Sequence, residues 1–309
     1  MNILKFRWST AVWSIIFLIL LLSLGTPLSV ITLFLLIVPG AVLYAALPLR
    51  QFIWHIVPVA LIALILDPLN LIRMISFIIP SIVMGHFYKR KASAFRTIMA
   101  GMITLLAEFL LLLIIGSLFF QFDLSQEIRD LVSLVVTPLQ EAERTGALTS
   151  GINWSDADTE LVANDIVQLI PFTLILTSLI MSFITHIIVR PNLESLGHAA
   201  PKLPPARLWR LPRSLIGYYL LAWILELITH NNSSSTLGVI GLNLMHLVQL
   251  CFLIQAIGFC FFLVHERKWH PALTVLLVAV VIIFQNPLRI VGIIDLAFPL
   301  REAITRSKR

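Results

Sequence analysis

Between Met102 and Phe120 the chain reads MITLLAEFLLLLIIGSLFF, with Glu108 as its single ionisable group. A stretch of that kind cannot be left in water, and similar runs recur along the whole chain. Charged residues make up only 12% of the sequence against 59% apolar ones, and they gather in short clusters between the runs. A helix needs about 20 mostly apolar residues to cross a bilayer. In lipid every backbone amide must be paired within the protein, which leaves helices or closed barrels. No strand-like alternation of apolar and polar residues is present, so the segments read as helices. The expected fold class is all-α: a polytopic transmembrane helix bundle of about 8–10 membrane segments, some short or broken at proline.

The spacing predicts helices at about 10–24, 28–47, 51–66, 71–88, 95–120, 167–189, 214–229, 238–264, 270–285 and 288–300. The third and fourth meet at Asp67-Pro68-Leu69-Asn70 and the last two at Asn286-Pro287. Each junction reads as a hairpin tip or as a broken helix lining a cavity. The basic start followed by an apolar stretch has no A-x-A site after it and reads as an uncleaved first helix. Residues 1–309 are read as a single integral membrane domain.

Positive charge orients the segments. Lys5 and Arg7, Arg50, Lys89 to Lys91 with Arg96, the 190–213 loop, Arg267 and Lys268, and the basic tail all fall on one side if ten segments cross. That side is taken as cytoplasmic, with both termini on it. If 288–300 does not cross, it must be re-entrant. The net charge of +6 then reflects contact with anionic lipid and not with nucleic acid. The 190–213 loop is rich in proline and arginine, and reads as a membrane-surface connector or a docking site for a partner. The opposite side carries 121–166, an acidic external loop with apolar residues at helical spacing. In it, Ser155 and Asp158 have the spacing of a capping box. Asn153-Trp154-Ser155 and Asn231-Asn232-Ser233 match the glycosylation sequon.

Ionisable and amide side chains inside a membrane are costly, so each is a candidate for function. In the seventh segment Tyr219, Trp223, Glu226 and His230 fall within about 60° of one another, and in the eighth Asn243, His246 and Gln249 within about 120°. The short connection between the two segments makes them antiparallel neighbours. Tyr219, Trp223, Glu226, Asn243, His246 and Gln249 therefore form the candidate ligand site, able to bind a small polar solute or exchange a proton. The alternative is an interhelical hydrogen-bond clasp. Glu108, His186 with Thr185, and Gln255 are read as structural, and Asp295 as needing a salt-bridge partner from another helix. Cys251 and Cys260 stand about 180° apart on one helix, so they neither pair nor chelate together. No metalloprotease, hydrolase, P-loop, dinucleotide or metal-spacing motif occurs. The chain is read as no enzyme, with no cofactor and no metal.

Four segments, taken in order, resemble the YybS-type family of bacterial integral membrane proteins. They are GTPLSVITLFLLIVPGAVLYAALPLR, PSIVMGHFYKRKAS, the acidic loop leading to Pro171, and GIIDLAFPLRE. That family is distantly similar to the substrate-binding subunits of energy-coupling-factor transporters. Those subunits bind a vitamin or similar solute and pair with a transmembrane coupling protein through Ala-x-x-x-Ala faces, a pattern that Ala41 and Ala45 fit. The resemblance implies a multi-pass protein of the bacterial inner membrane and points toward solute binding. The expected partners are the lipid bilayer, a small polar solute and a transmembrane or cytoplasmic protein. The competing expectation is a non-transporting membrane scaffold.

Overall fold

The computed structural model describes residues 3–145, 155–230, 234–270, 272–298 and 300–306. Among them the chain is helical throughout: α1 (Ile3–Ser23), α2 (Ser29–Leu35), α3 (Ile37–Ala46), α4 (Leu49–Leu66), α5 (Pro68–Lys89), α6 (Ala94–Phe120), α7 (Leu124–Arg144), α8 (Asp156–Gln168), α9 (Ile170–Ser195), α10 (Ser214–Ile228), α11 (Thr236–Glu266), α12 (Ala272–Ile283), α13 (Gln285–Ala297) and α14 (Leu300–Arg306). Both glycosylation sequons include residues outside the described ones. Among the described residues six helices are long and apolar enough to cross a membrane, and seven if α12 and α13, bent by 112° at their junction, count as one broken span. Two of the remaining sequence segments are shorter apolar helices, Thr10–Ser23 and Ser214–Ile228. The last two segments are the bent pair, so they do not cross as separate spans by this measure.

The residues fall into two compact units. Unit 1 is Met1–Phe122 with Thr173–Leu203, and unit 2 is Asp123–Phe172 with Pro204–Arg309.

Unit 1 is built around α3, nearly all of whose residues are buried. Phe17 and Leu21 of α1, Met84 of α5, Leu105 of α6, and Met181 and Leu193 of α9 share its core. Glycines set the spacing of α3 and α5. A Cβ at Gly40 would fall 2.6 Å from Ser81 Oγ, and one at Gly85 would fall 2.9 Å from the Tyr44 ring. Small residues let two backbones approach this closely in a membrane protein. Ala41 and Ala45 are buried in that contact. The Ala41 carbonyl lies against Gly85 of α5, where a Cβ would fall 3.2 Å from it. Asp67 ends α4 and caps α5 by accepting the Leu69 N–H at 3.0 Å. Pro68 sits at the first helical position, where a missing donor costs nothing. Asp67-Pro68 is therefore a capped turn, and Arg73 lies 3.6 Å from the Asp67 carboxylate.

Unit 2 is organised by α11. A Cβ at Gly241 would fall 2.9 Å from the Leu225 Cβ, so α10 and α11 pack as neighbours. Gly292 of α13 lies against α11 so tightly that a Cβ there would be 2.0 Å from the Phe252 carbonyl oxygen. Helices α7 and α8 pack on each other. In α8 the capping box is complete, with the Asp158 N–H donating to Ser155 Oγ and the Ser155 N–H donating to Asp158 Oδ2 at 2.9 Å. These bonds hold the Asp158 carboxyl below the usual carboxylate range. On α7 the apolar residues Leu131, Leu134, Val135 and Leu139 form an exposed stripe.

Basic residues from distant loops meet at one end of each unit. In unit 2, Arg207 Nη1 lies 2.7 Å from the His265 ring, Arg301 Nη1 donates to the Arg207 carbonyl at 2.8 Å, and Arg210 pairs with Glu302 at 3.4 Å. In unit 1, Lys89, Lys91 and His198 line one pocket beside Ala45 to Pro48.

Candidate functional site

Helix α11 threads unit 2, and each amide along it is aimed at a break in another element. Asn243 serves the break between α8 and α9. Its Nδ2 donates to the Gln168 carbonyl at 2.8 Å, and its Oδ1 accepts the Phe172 N–H at 2.8 Å. A helix break frees backbone groups that lipid cannot satisfy, and a buried amide supplies both a donor and an acceptor. Two turns on, Gln249 Oε1 accepts from Arg289 Nη1 at 2.5 Å, just inside the α12–α13 bend. Gln255 sits further along. Its Oε1 accepts the Leu211 N–H at 3.0 Å and its Nε2 donates to Asp295 Oδ2 at 2.6 Å.

Asp295 finds its partner in Arg301, six residues on, across the α13–α14 break. Arg301 Nε and Nη2 both donate to its carboxylate, the shortest contact being 2.6 Å. The side chains are 1% and 4% exposed. Arg301 also lies over the Phe262 ring at 5.5 Å. The network is fully paired, which a buried ion pair requires if it is not to destabilise the fold.

The six residues marked from sequence separate into three groups. Asn243 and His246 stay together. The His246 ring lies 5.5 Å from that of Phe172, and its Nδ1 is bonded to the carbonyl of Leu242 in its own helix. Gln249 goes to the α12–α13 bend. Tyr219 packs edge-on against Phe252 in an apolar cluster, while Trp223 and Glu226 lie on the exposed side of α10. The short connection between α10 and α11 brought them side by side, as the Gly241–Leu225 contact shows, but it does not fix which way their side chains turn. Asn243 turns toward the α8–α9 break and not toward Glu226.

The residue that the sequence reading passed over is Arg289. It lies near the start of α13, bonded to Gln249 and to Gln285 Oε1, the latter at 3.2 Å. Its Nε is buried with no hydrogen-bond partner. Among the described residues no carboxylate pairs with it. The first turn of α13 has no side-chain cap; Pro287 carries no N–H and the Leu288 N–H donates to the Phe284 carbonyl at 3.2 Å, so Gln285 and Asn286 carry the turn's remaining N–H groups. A signal was available: an arginine just past Asn286-Pro287, between two of the most apolar stretches of the chain, with its only nearby acid on another face.

Unit 1 holds a second concentration of polar groups. On α9, Ser178, Ser182, Thr185 and His186 are at most 1% exposed. The hydroxyls and His186 Nε2 have no hydrogen-bond partner. His186 Nδ1 meets Tyr88 Oη of α5 at 2.8 Å, with the rings stacked.

A family profile described as "Predicted membrane protein (DUF2232)" matches residues 12–296. The curated protein named "Uncharacterized protein YybS", from Bacillus subtilis (strain 168), is 25% identical over 232 residues, covering 72% of each chain. No solved structure matches. With the family match running over nearly all of an all-helical chain that carries several membrane-length apolar helices, this multi-pass protein belongs to the Predicted membrane protein (DUF2232) family.

Proposed function

We propose that this protein binds a small anionic solute within the bilayer and passes it across, as a carrier or its solute-binding subunit and not as an enzyme. The observation that carries the reading is Arg289: a guanidinium at the 112° bend of α12–α13, held by two glutamines and, among the described residues, by no acid. Gln249 lies near the middle of the long helix α11, which puts Arg289 at a similar depth. A charge there costs about 2.5–3.5 kcal/mol on insertion scales, and such residues as a rule find a counter-charge. A carboxylate or phosphate on the solute supplies one. The uncapped N-terminus of α13 adds partial positive charge at the same corner, the arrangement by which broken helices hold anionic groups in transporters.

The test is ligand-dependent stabilisation of the purified protein in nanodiscs, using a panel of small carboxylates, phosphate and phosphate esters. At least one should raise Tm in the wild type, by up to about 2.7 kcal/mol of stability at a hundredfold excess over Kd. Arg289→Gln should remove the shift. A panel with no effect, or an Arg289→Gln variant stabilised as strongly as wild type, would rule the reading out.

A scaffold is the second reading, and one feature favours it. Pro205, Arg207, Phe261, His265 and Trp269 line an open groove of about 1020 Å³ at the basic end of unit 2. A cytoplasmic partner whose capture is lost on neutralising Arg207, Arg210 and Arg213, together with silence in the solute panel, would favour the scaffold.

A further inference from the structure

Glu108 lies on α6 with both carboxylate oxygens buried and without a hydrogen-bond partner. Gly101, Leu105 and Glu108 fall within about 60° of one another on that helix. Gly101 marks where this face meets its neighbours. A Cβ there would lie 2.8 Å from Ser182 Oγ of α9 and 2.6 Å from Met84 Sδ of α5. Helix α6 starts, and α9 ends, beside the end of α5 that carries Tyr88 and Lys89, so the two helices run antiparallel. Moving away from that end, Glu108 is about 10 Å beyond Gly101 and Ser178 about 6 Å beyond Ser182, at ~1.5 Å per residue. Glu108 and Ser178 thus both lie beyond the Gly101–Ser182 contact, on the side away from Tyr88.

Moving the other way, the hydroxyls of Ser182 and Thr185 lead to His186 and through it to Tyr88. Tyr88 in turn lines a pocket of about 300 Å³ with Lys89, Lys91 and His198. These buried polar groups mark a seam inside unit 1, from Glu108 on α6 along α9 to Tyr88 on α5. Ser178, Ser182 and Thr185 Oγ, His186 Nε2 and both Glu108 oxygens have no hydrogen-bond partner. Buried polar groups are nearly always bonded, so an unbonded row of them needs a physical reason.

We propose that this seam carries protons between Glu108 and the Tyr88 pocket. The spacing favours a proton over a metal cation. A sodium-type ion needs several oxygens converging on one point, whereas Ser178 to Thr185 are strung out over about 10 Å of helix. The groups at the two ends, a carboxyl and an imidazole–phenol pair, both exchange protons. Glu108 takes up a proton as the neutral acid and gives it to the hydroxyl row. Each hydroxyl accepts one proton and passes on its own, directly or through a water molecule. The proton reaches His186 Nε2, making the imidazolium. His186 then gives its Nδ1 proton to Tyr88 as the Tyr88 hydroxyl proton leaves for the pocket. One proton has moved, and no covalent bond other than O–H and N–H has changed. The inference uses neither Arg289 nor an anionic solute, so it stands or falls separately from the reading of unit 2.

The experiment is proton uptake by proteoliposomes of the full chain, with an internal pH dye and a potassium diffusion potential set by valinomycin. The wild type should acidify the lumen at a rate several-fold above protein-free vesicles. Glu108→Gln, nearly the same shape without a titratable group, should return the rate to background, and Ser182→Ala should reduce it several-fold. His186→Gln should also abolish uptake. Each variant is checked for monodispersity in detergent before reconstitution. Wild-type uptake equal to that of empty vesicles, or Glu108→Gln uptake equal to that of wild type, would overturn the proposal.

Discussion

Helices α11 and α9 both carry polar side chains through apolar surroundings, and they use them in opposite ways. On α11, Asn243 and Gln255 are buried, and both ends of each amide are bonded to another part of unit 2. On α9, Ser178, Ser182 and Thr185 are equally buried, and their hydroxyls bond to nothing. The first set replaces backbone partners lost at helix breaks, so it is spent on architecture. The second set holds nothing together that the apolar packing of unit 1 does not already hold. Burial alone does not identify a functional polar group in a membrane protein. The useful distinction is between polar groups whose bonding capacity is used up by the fold and those whose capacity is left over.

The contrast makes stability predictions that fall in order of size. The largest effect is expected at Asp295–Arg301. Asp295→Asn leaves the Arg301 guanidinium buried without its counter-charge, and should cost about 3–5 kcal/mol. Thermal unfolding in detergent would show it, and replacing both residues by leucine should recover much of the loss. If the single variant is as stable as wild type, the network is not structural. Asn243→Leu comes next. It strands the Gln168 carbonyl and the Phe172 N–H at the α8–α9 break and should cost about 1–3 kcal/mol.

Ser182→Ala and Thr185→Val on α9 should sit at the other extreme, within about 0.5 kcal/mol of wild type, because their hydroxyls have no partner to lose. A loss comparable to that of Asn243→Leu would erase the distinction between the two helices. The smallest effect concerns α8. The bonds from Ser155 lower the folded-state pKa of Asp158, so their stabilisation is present above the unfolded carboxylate pKa of about 3.9 and fades as pH falls through the folded value. The protection factors of the α8 amides should therefore fall at acid pH in the wild type, and that pH dependence should flatten in Ser155→Ala.

Much of the fold was legible in the sequence for plain reasons. A run such as Met102–Phe120 permits only a helix in lipid, and Ser155 with Asp158 at the right spacing announced a cap that the structure completes. The short connection between α10 and α11 also made them neighbours. The site was less legible. A wheel gives the direction of a side chain about its own helix axis, but not which neighbour stands in that direction. Glu226 and Asn243 are at compatible depths, yet Asn243 bonds the Gln168 carbonyl and the Phe172 N–H at the α8–α9 break while Glu226 remains exposed. The row on α9 could have been found, since Ser178, Ser182, Thr185 and His186 follow helical spacing. Nothing in the sequence reveals that their hydroxyls are unbonded.

The order of apolar and charged residues by itself determined that this chain lies in a membrane, that it is helical, and roughly where its helices begin and end. Those are consequences of local chemistry: the cost of exposing apolar surface to water and of leaving an amide unpaired in lipid. Only the tertiary structure decided that α12 and α13 fold back at a sharp bend, that Arg289 meets glutamines in place of an acid, and that the polar groups of α9 are buried yet unclaimed. Each of these depends on which helices stand next to one another, and that is settled by the close approach of small residues such as Gly40, Gly101 and Gly292 across the whole fold.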